Sequence, residues 1–403
     1  MLMRFKLAIR NITRHSTRSL LSILMISGAI AAIVLFQGFS SYSLFAIKII
    51  AAENQYGNMQ IAANSYWNPQ KETRQERMFH LSDIDSLKNK FPTIERTSGR
   101  ISFFGLISNG DLSISAKMIG LDPEKEPMFN KIVKMREGVF FSSNSNEVVV
   151  GQLLAKQLRV KTGDDITILT STIDGVMNAM DLKVAGTFTV GLDEIDAQVI
   201  YLPLSVAQSV LDTDLVDLAV VKFNTLEDAE NNVALINTEL KNQNLFAKSW
   251  RELAYFYRQV SNYFGVQNRI IESILLALMF LGILNTVSMT IIERTGEIGT
   301  LRSLGESRKE VVNQFLLESF IISLVGIVLG VIISKLGIEF VKAADIVTDL
   351  PGASTPFKIV IMFQWSSVFY AASLATATAF FATLFPAIRA SRMNIVDALR
   401  KNI

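Results

Sequence analysis

The sequence predicts an α-helical membrane protein with four transmembrane helices plus a mixed α/β extracytoplasmic domain, two α/β lobes with a β-rich insertion, on a helical stalk. Three observations lead there. Hydrophobic residues are 50% of the 403 and charged residues 19%, with a mean hydropathy of +0.33, which is too apolar for an ordinary soluble globule. Four apolar runs, residues 19–39, 270–292, 315–333 and 365–385, match the ~20 residues that a helix needs to cross a bilayer. Between the first two runs, roughly 190 residues carry strand and turn signals instead. The formal net charge of +2 gives no footing for a nucleic-acid partner. With no cysteine there is no disulfide, thiolate metal site or cysteine lipidation.

Residues 1–18 form a cytoplasmic segment that reads as an amphipathic helix. Phe5, Ala8, Ile9 and Ile12 share one face, and Arg10, Arg14 and Arg18 another, suited to the headgroup layer. A plain positively charged anchor fits as well. Residues 19–56 hold the first span and its outward continuation, a run longer than the ~7–15 apolar residues of a signal peptide. Beyond the span, Tyr42, Phe45, Ile49, Ala52 and Tyr56 keep a helical stripe. In the mirror position, residues 249–292 begin with Leu253, Phe256, Tyr257, Val260, Phe264 and Gln267 and run into the second span. About 17 extra residues at ~1.5 Å each reach roughly 25 Å past the lipid, so two such helices make a stalk. Separate interfacial helices are the alternative.

The α/β domain occupies residues 57–248. Its strand candidates are 58–63, 101–108, 113–120, 147–150, 165–170, 182–189, 197–202, 218–223 and 245–248, with Asn109-Gly110-Asp111 as a hairpin turn. Helix candidates are 81–91, 151–158, 204–212 and 225–241, and Ser82 with Asp85 and Thr225 with Asp228 fit capping boxes. After the second span come a charged strip at 293–311, a third span at 312–336, a short connection at 337–364, a fourth span at 365–388 and a tail at 389–403.

Basic residues set the orientation. Arg4, Lys6, Arg10, Arg14 and Arg18 precede the first span, Arg294, Arg302, Arg308 and Lys309 lie in the strip, and Arg389, Arg392, Arg400 and Lys401 follow the fourth span. The positive-inside rule places both termini and the strip in the cytoplasm and the large domain outside.

Several chemistries lack their residues. No Gly-x-x-x-x-Gly-Lys-Ser/Thr loop is present, so nucleotide is not bound in the P-loop manner. The two histidines, His15 and His80, are far apart in sequence, which supports neither a metal site nor a catalytic triad. The acidic pairs Asp164–Asp165 and Glu194–Asp196 read as solvated turns. Glu272 and Glu318 lie near span ends, where they can reach the interface. Mid-span polar groups are mostly small, which suits helix packing more than a transport path. Gly326-x-x-x-Gly330 and the alanines from Ala371 to Ala382 suit close approach, and Asn285 is expected to bridge two helices.

The strip offers an apolar edge of Ile298, Leu301 and Leu304 with Glu297, Arg302 and Arg308 as orienting charges, shaped for a partner's cleft. A solvated loop of interfacial charge is the plainer reading of its composition.

The strip and its flanks, Gly282-x-x-Asn285-Thr286 then Glu293-Arg294-Thr295-x-Glu297-Ile298-Gly299-x-x-Arg302-x-x-Gly305, closely resemble the permease signature of the MacB/LolC/LolE/FtsX superfamily of ABC transporters. Glu318 with Gly326 and Gly330, the ending Pro386-Ala387-x-x-Ala390-Ser391-Arg392, and Ala8-x-Arg10-Asn11 are similar to it too. In the α/β domain the likeness is looser, resting on Gly120-Leu121-Asp122-Pro123, residues 148–158 and Pro203-Leu204-x-x-Ala207-Gln208. The resemblance implies that the strip is a coupling helix seated on a separate ABC ATPase subunit, with Glu297, Ile298, Gly299, Leu301, Arg302, Leu304 and Gly305 at the contact. ATP and Mg would be held by that ATPase and no cofactor or metal by this chain. A second permease chain, identical or homologous, would complete the complex, and ATP-driven closure would reshape the outer domain. The layout is most similar to LolC and LolE, which implies lipoprotein extraction with a periplasmic carrier, or export of a periplasmic substrate through an adaptor. An FtsX-like regulator of a cell-wall hydrolase and an ATPase-free receptor or scaffold are the alternatives.

Overall fold

The computed structural model describes residues 10–14, 16–67, 73–126, 133–348 and 357–393. Arg4, Phe5, Lys6, Ala8 and Ile9 of the expected amphipathic segment, and Ala398, Leu399, Arg400 and Lys401 of the tail, lie outside these residues. The chain divides into two compact units. One comprises residues 1–44, 260–346 and 358–403; the other comprises 45–259 and 347–357.

The first unit is a helical bundle. Helices α1 (Ser16–Ile49), α6 (Tyr255–Glu293), α8 (Arg308–Ala343) and α9 (Trp365–Ser391) are each long and apolar enough to cross a membrane. The core joins Ile26, Ile30 and Ile33 of α1 and Met279 and Ile283 of α6 to Ala371, Ala375, Ala379 and Ala382 of α9. Those alanines recur every three or four residues, so they form one face and let a neighbouring backbone come close. The same logic operates between α8 and α1. A Cβ added at Gly326 or Gly330 would lie 2.8 Å from the Cβ of Ile26 or Ile30, so only glycine permits this separation. Hydroxyls add direction: Thr383 donates to Ser319 Oγ at 2.9 Å, and Ser319 to the Ala379 carbonyl at 3.3 Å, both between α8 and α9. Large side chains such as Phe320, Leu324, Val328 and Ile332 point outward, as a lipid-facing surface requires.

Glu272 is buried in this bundle and accepts hydrogen bonds from Gln37 Nε2 at 2.6 Å and Tyr370 Oη at 3.0 Å. It therefore binds α1 and α9 to α6. Among the described residues the expected bridge at Asn285 is not formed, because Asn285 lies on the exposed side of α6. One position on, about 100° around the helix, Thr286 is buried and its hydroxyl donates to the Gly282 carbonyl at 2.8 Å.

The second unit is a mixed α/β domain with strands β1 (Met59–Ala63), β2 (Ile94–Ser108), β3 (Ser113–Leu121), β4 (Lys134–Gly138), β5 (Glu147–Gly151), β6 (Asp165–Ser171), β7 (Met177–Thr189), β8 (Val199–Pro203), β9 (Leu218–Phe223) and β10 (Leu245–Ser249). They run in the order β10-β1-β9-β2-β3-β8-β5-β7-β4, with β6 paired to β2 and β7. The long strand β2 serves two lobes. Its first half, Ile94 to Arg100, pairs with β9, and its second half, Ile101 to Ser108, pairs with β3. The turn at Gly110 takes φ +95°, and Leu112 N donates to Asn109 Oδ1 at 2.8 Å, so the Asn-Gly-Asp signal is used as a hairpin.

Helices cover the sheet: α2 (Asp85–Lys90), α3 (Gln152–Leu158), α4 (Leu204–Leu211) and α5 (Leu226–Leu240). Of the two expected capping boxes, Thr225–Asp228 is formed at the start of α5. The Ser82–Asp85 box is not; residues Leu81–Ile84 make a 3-10 turn instead, and α2 begins after Ile84 with no side-chain cap. Asn237 of α5 docks on β10 twice, accepting from Ala247 N at 2.7 Å and donating to its carbonyl at 3.0 Å. The Glu194–Asp196 turn departs from the solvated loop expected there. Asp196 is fully buried and accepts from Val190 N at 2.8 Å and from the Thr189 hydroxyl, so it fastens the end of β7.

Asn58, 1% exposed, joins the strands that open and close the domain. Its Oδ1 accepts from Phe223 N at 2.9 Å, its Nδ2 donates to the Ala52 carbonyl at 3.3 Å, and its carbonyl accepts from Trp250 N at 3.0 Å. Two outcomes are expected. Asn58→Ala should cost about 1–3 kcal/mol, because the Phe223 N–H is left buried and unpaired; denaturant unfolding followed by tryptophan fluorescence measures it. Gly330→Leu should lower the melting temperature of the detergent-purified chain by overpacking worth about 1–3 kcal/mol. Gly337→Ala, whose Cβ would clear Leu35 by 3.3 Å, should have a smaller effect.

Candidate coupling site at the basic end of the bundle

Between α6 and α8 lies a short helix, α7 (Thr295–Ser303), set off by two breaks. At the first, Arg294 leaves helical geometry with φ −95° and ψ 15°, and the Thr295 hydroxyl caps the end of α6 by donating to the carbonyls of Ile291 and Ile292 at 3.0 and 2.8 Å. At the second, Gly305 takes φ +100°, a conformation that side chains resist. Ser307 then opens α8 with a complete capping box to Glu310. Both ends of α7 are thus written into local chemistry.

One face of α7 is sealed. Ile298 is 4% exposed and packs with Ile291, Val311, Phe315, Ala387 and Ala390. Gly296 and Gly299 are buried beside it. The opposite face is open: Leu304 is 78% exposed, Thr300, Ser303 and Gly305 are exposed, and Leu301 is half-buried. Arg302 donates to the Ser391 carbonyl at the end of α9. The apolar edge expected of Ile298, Leu301 and Leu304 is therefore divided. Ile298 and Gly299 hold the helix in place, since 100° per residue turns them to the bundle, and Leu301 and Leu304 remain for contact. Glu297 is partly exposed and already engaged, with Arg14 Nη1 at 2.9 Å and Arg294 Nε at 3.2 Å.

Beneath α7 lies a charge cluster that pattern reading gave other roles. The sequence places Arg294 among the orienting cations and in the permease-like signature, and Glu318 near a span end within reach of the interface. Their side chains are instead 6% and 10% exposed and bonded to each other, Arg294 Nη1 donating to Glu318 Oε2 at 2.8 Å and Oε1 at 3.1 Å. The guanidinium stacks 5.3 Å from the Phe315 ring centre. Asn11 Nδ2 donates to the same carboxylate at 2.7 Å, and Arg18 pairs with Glu293. A cavity of about 50 Å³ adjoins the cluster, lined by Arg18, Ser22, Thr286, Thr290, Arg294 and Glu318 among others. An arginine beside a helix break and an acid inside the next apolar run are the signal that could have paired them. Among the described residues, no group of three or more His, Asp or Glu side chains could hold a metal ion.

The MacB-like periplasmic core domain family matches residues 19–239, and the FtsX-like permease C-terminal family matches residues 270–395. The lipoprotein-releasing system transmembrane protein LolC of Xylella fastidiosa is 27% identical over 318 residues, covering 72% of this chain and 74% of that protein. LolE of Haemophilus influenzae is 24% identical over 338 residues, covering 79% of this chain and 80% of that protein. The macrolide export ATP-binding/permease protein MacB of Bdellovibrio bacteriovorus is 22% identical over 79% of this chain but only 49% of its own length.

The division of α7 into a sealed and an open face has a direct test. Ile298→Ala should cost about 2–4 kcal/mol and speed amide exchange through α7. Leu304→Ala should stay within about 0.5 kcal/mol of the parent. Thermal unfolding with hydrogen exchange separates the two.

Proposed function

The chain belongs to the MacB/LolC/LolE/FtsX superfamily of ABC transporter permeases, and on that premise we propose that it couples ATP hydrolysis by a separate ATPase subunit to movement of its α/β domain. The observation that carries this reading is α7, a helix fixed on one face and bare on the other between two spans. Thr300, Leu301, Ser303, Leu304 and Gly305 are the surface on which the ATPase would bear, with Glu297 and Arg302 at its margin. The excess of arginine at this end of the spans supports a cytoplasmic placement of both termini and α7, with the α/β domain outside.

Nucleotide chemistry belongs to the partner in this scheme, because the sequence carries no P-loop. Helices α1 and α6 are 34 and 39 residues long, about 51 and 58 Å at ~1.5 Å per residue, against about 30 Å of hydrocarbon. Both therefore outrun the membrane and are long enough to carry a push beyond it. Two permease chains, identical or homologous, with two ATPases make the working unit. The cargo we assign is a lipoprotein lifted from the outer leaflet of the inner membrane and passed to a carrier. The match to two lipoprotein-releasing proteins, over 72% and 79% of this chain, supports that over macrolide export, where the similar MacB joins ATP-binding and permease functions in one protein.

Affinity purification from native membranes in mild detergent should return an ABC ATPase, with acylated lipoproteins or their carrier. Leu304→Glu should cut the recovered ATPase about tenfold, the loss of one well-placed apolar contact, while leaving folding intact. Recovery of no ATPase, even after crosslinking through residue 304, would sink the transporter reading. An ATPase with an efflux adaptor would keep coupling and replace the cargo.

A further inference from the structure

We propose that Arg294 and Glu318 are positioning residues: their buried ion pair locks α7 to α8, so that thrust on α7 is delivered to the spans instead of being lost as rocking of a short helix. The proposal rests on the coupling role assigned to α7 above.

A nine-residue helix between two breaks has little to hold its angle. The packing around Ile298 is apolar, and apolar contact is non-directional. The Arg294 guanidinium is different, because one planar group is shared between two carboxylates: its Nη1 donates to both oxygens of Glu318 while its Nε donates to Glu297 Oε2 at 3.2 Å, so the joint and α7 are oriented together. Arg294 occupies the first break itself, and Glu318 lies within α8, so this bond crosses from the joint to the next span. Stability alone is a poor reason for the pair. A buried ion pair replaced by well-packed apolar residues is often neutral or stabilising, whereas losing one partner is costly. The main apolar cluster of the bundle is built of isoleucine, valine, methionine and alanine. A directional bond in that setting fits a fixed joint angle.

The bracing extends to the start of α1 and the segment before it. Asn11 shares the Glu318 carboxylate, Arg14 holds Glu297 on α7, and Arg18 holds Glu293 at the end of α6. Three arginines thus face three glutamates, one before, one on and one after α7. The first break is held from both sides, by α8 and by the N-terminal segment.

The cavity beside the pair shows how the lock can yield. Its lining mixes Asn11, Arg18, Thr290 and Glu318 with apolar side chains, and at about 50 Å³ it has room for a few waters. The Nη1 of Arg18 is buried there and has no protein hydrogen-bond partner among the described residues, which suits a bridging water. Water at that spot lets the ion pair lengthen without leaving either charge unsolvated, so the joint is stiff at rest and able to move under load.

The test uses the full permease–ATPase complex in lipid nanodiscs, with a dye on the α/β domain to report ATP-driven movement. Glu318→Gln keeps the shape and removes the charge. It should retain bound ATPase and ATP hydrolysis within about twofold of the parent while movement per ATP falls about tenfold. The exchange Arg294→Glu with Glu318→Arg should restore much of the movement that either single change removes. Movement per ATP unchanged in Glu318→Gln overturns the proposal. So does a parallel loss of binding, hydrolysis and thermal stability without recovery in the exchanged pair, which would make the bond merely structural. A parent complex that binds no ATPase, or whose domain ignores ATP, refutes the coupling role of α7 itself, a result distinct from either.

Discussion

Below a membrane surface a carboxylate has no bulk water to turn to, so its partners must come from the protein, and that requirement shapes both ends of this bundle. Glu318 meets it with an arginine, Arg294, and an asparagine, Asn11. Glu272 meets it with neutral donors, Gln37 and Tyr370. In each case the acid draws in groups from other segments, α1 and α9 toward Glu272, and the N-terminal segment and the α6–α7 break toward Glu318. Apolar packing could tolerate several rotations of these helices about their axes. The two acids remove most of them, and the glycines Gly326 and Gly330 then set how near α8 comes to α1.

The α/β domain solves a different problem, that of building one body from a segment whose two ends must lie together. Strand β1 opens it, β10 closes it, and the two pair antiparallel from Met59 opposite Ser249 to Ala63 opposite Leu245. Strand β9 and the first half of β2 extend the same lobe, and the second lobe begins where β2 changes neighbours after Arg100. That residue is a junction in its own right. Its guanidinium pairs with the buried Glu126 and donates to the Gln55 carbonyl at 2.8 Å.

Much of this was legible in the sequence, and the parts that were not share a cause. The spans, the Thr225–Asp228 cap, the Asn-Gly-Asp turn and the small-residue faces are local or periodic features, and each is present. The bond between Arg294 and Glu318 lies 24 residues apart across a helix break, and that between Asn11 and Glu318 lies 307 apart. No periodicity reports such pairs. Face assignment failed for the same reason on a smaller scale: Asn285 and Ile298 have the right residue types, but which side of a helix meets a neighbour is set by packing from elsewhere in the chain. Strand β4, short and with no buried residue, gave no alternating pattern to read. An acid in a turn such as Asp196 usually faces solvent, and its burial here depends on β7 arriving beside it.

The pairing of β1 with β10 also decides how the domain bears a load. The chain enters and leaves at the same end of that five-residue ladder, since Met59 and Ser249 are the pair nearest the connections to α1 and α6. If the two connections are drawn along their length together, the ladder carries no strain and the lobe travels as one piece. If one is drawn past the other, all the rungs resist in parallel, as a glued lap joint does. If the two are spread apart sideways, the rungs fail one after another, starting at Met59 and Ser249. The bond from Trp250 N to the Asn58 carbonyl lies at that vulnerable rung, where a rivet would be placed in a seam that must not peel, and the Asn58 side chain ties the same point to Phe223 of β9.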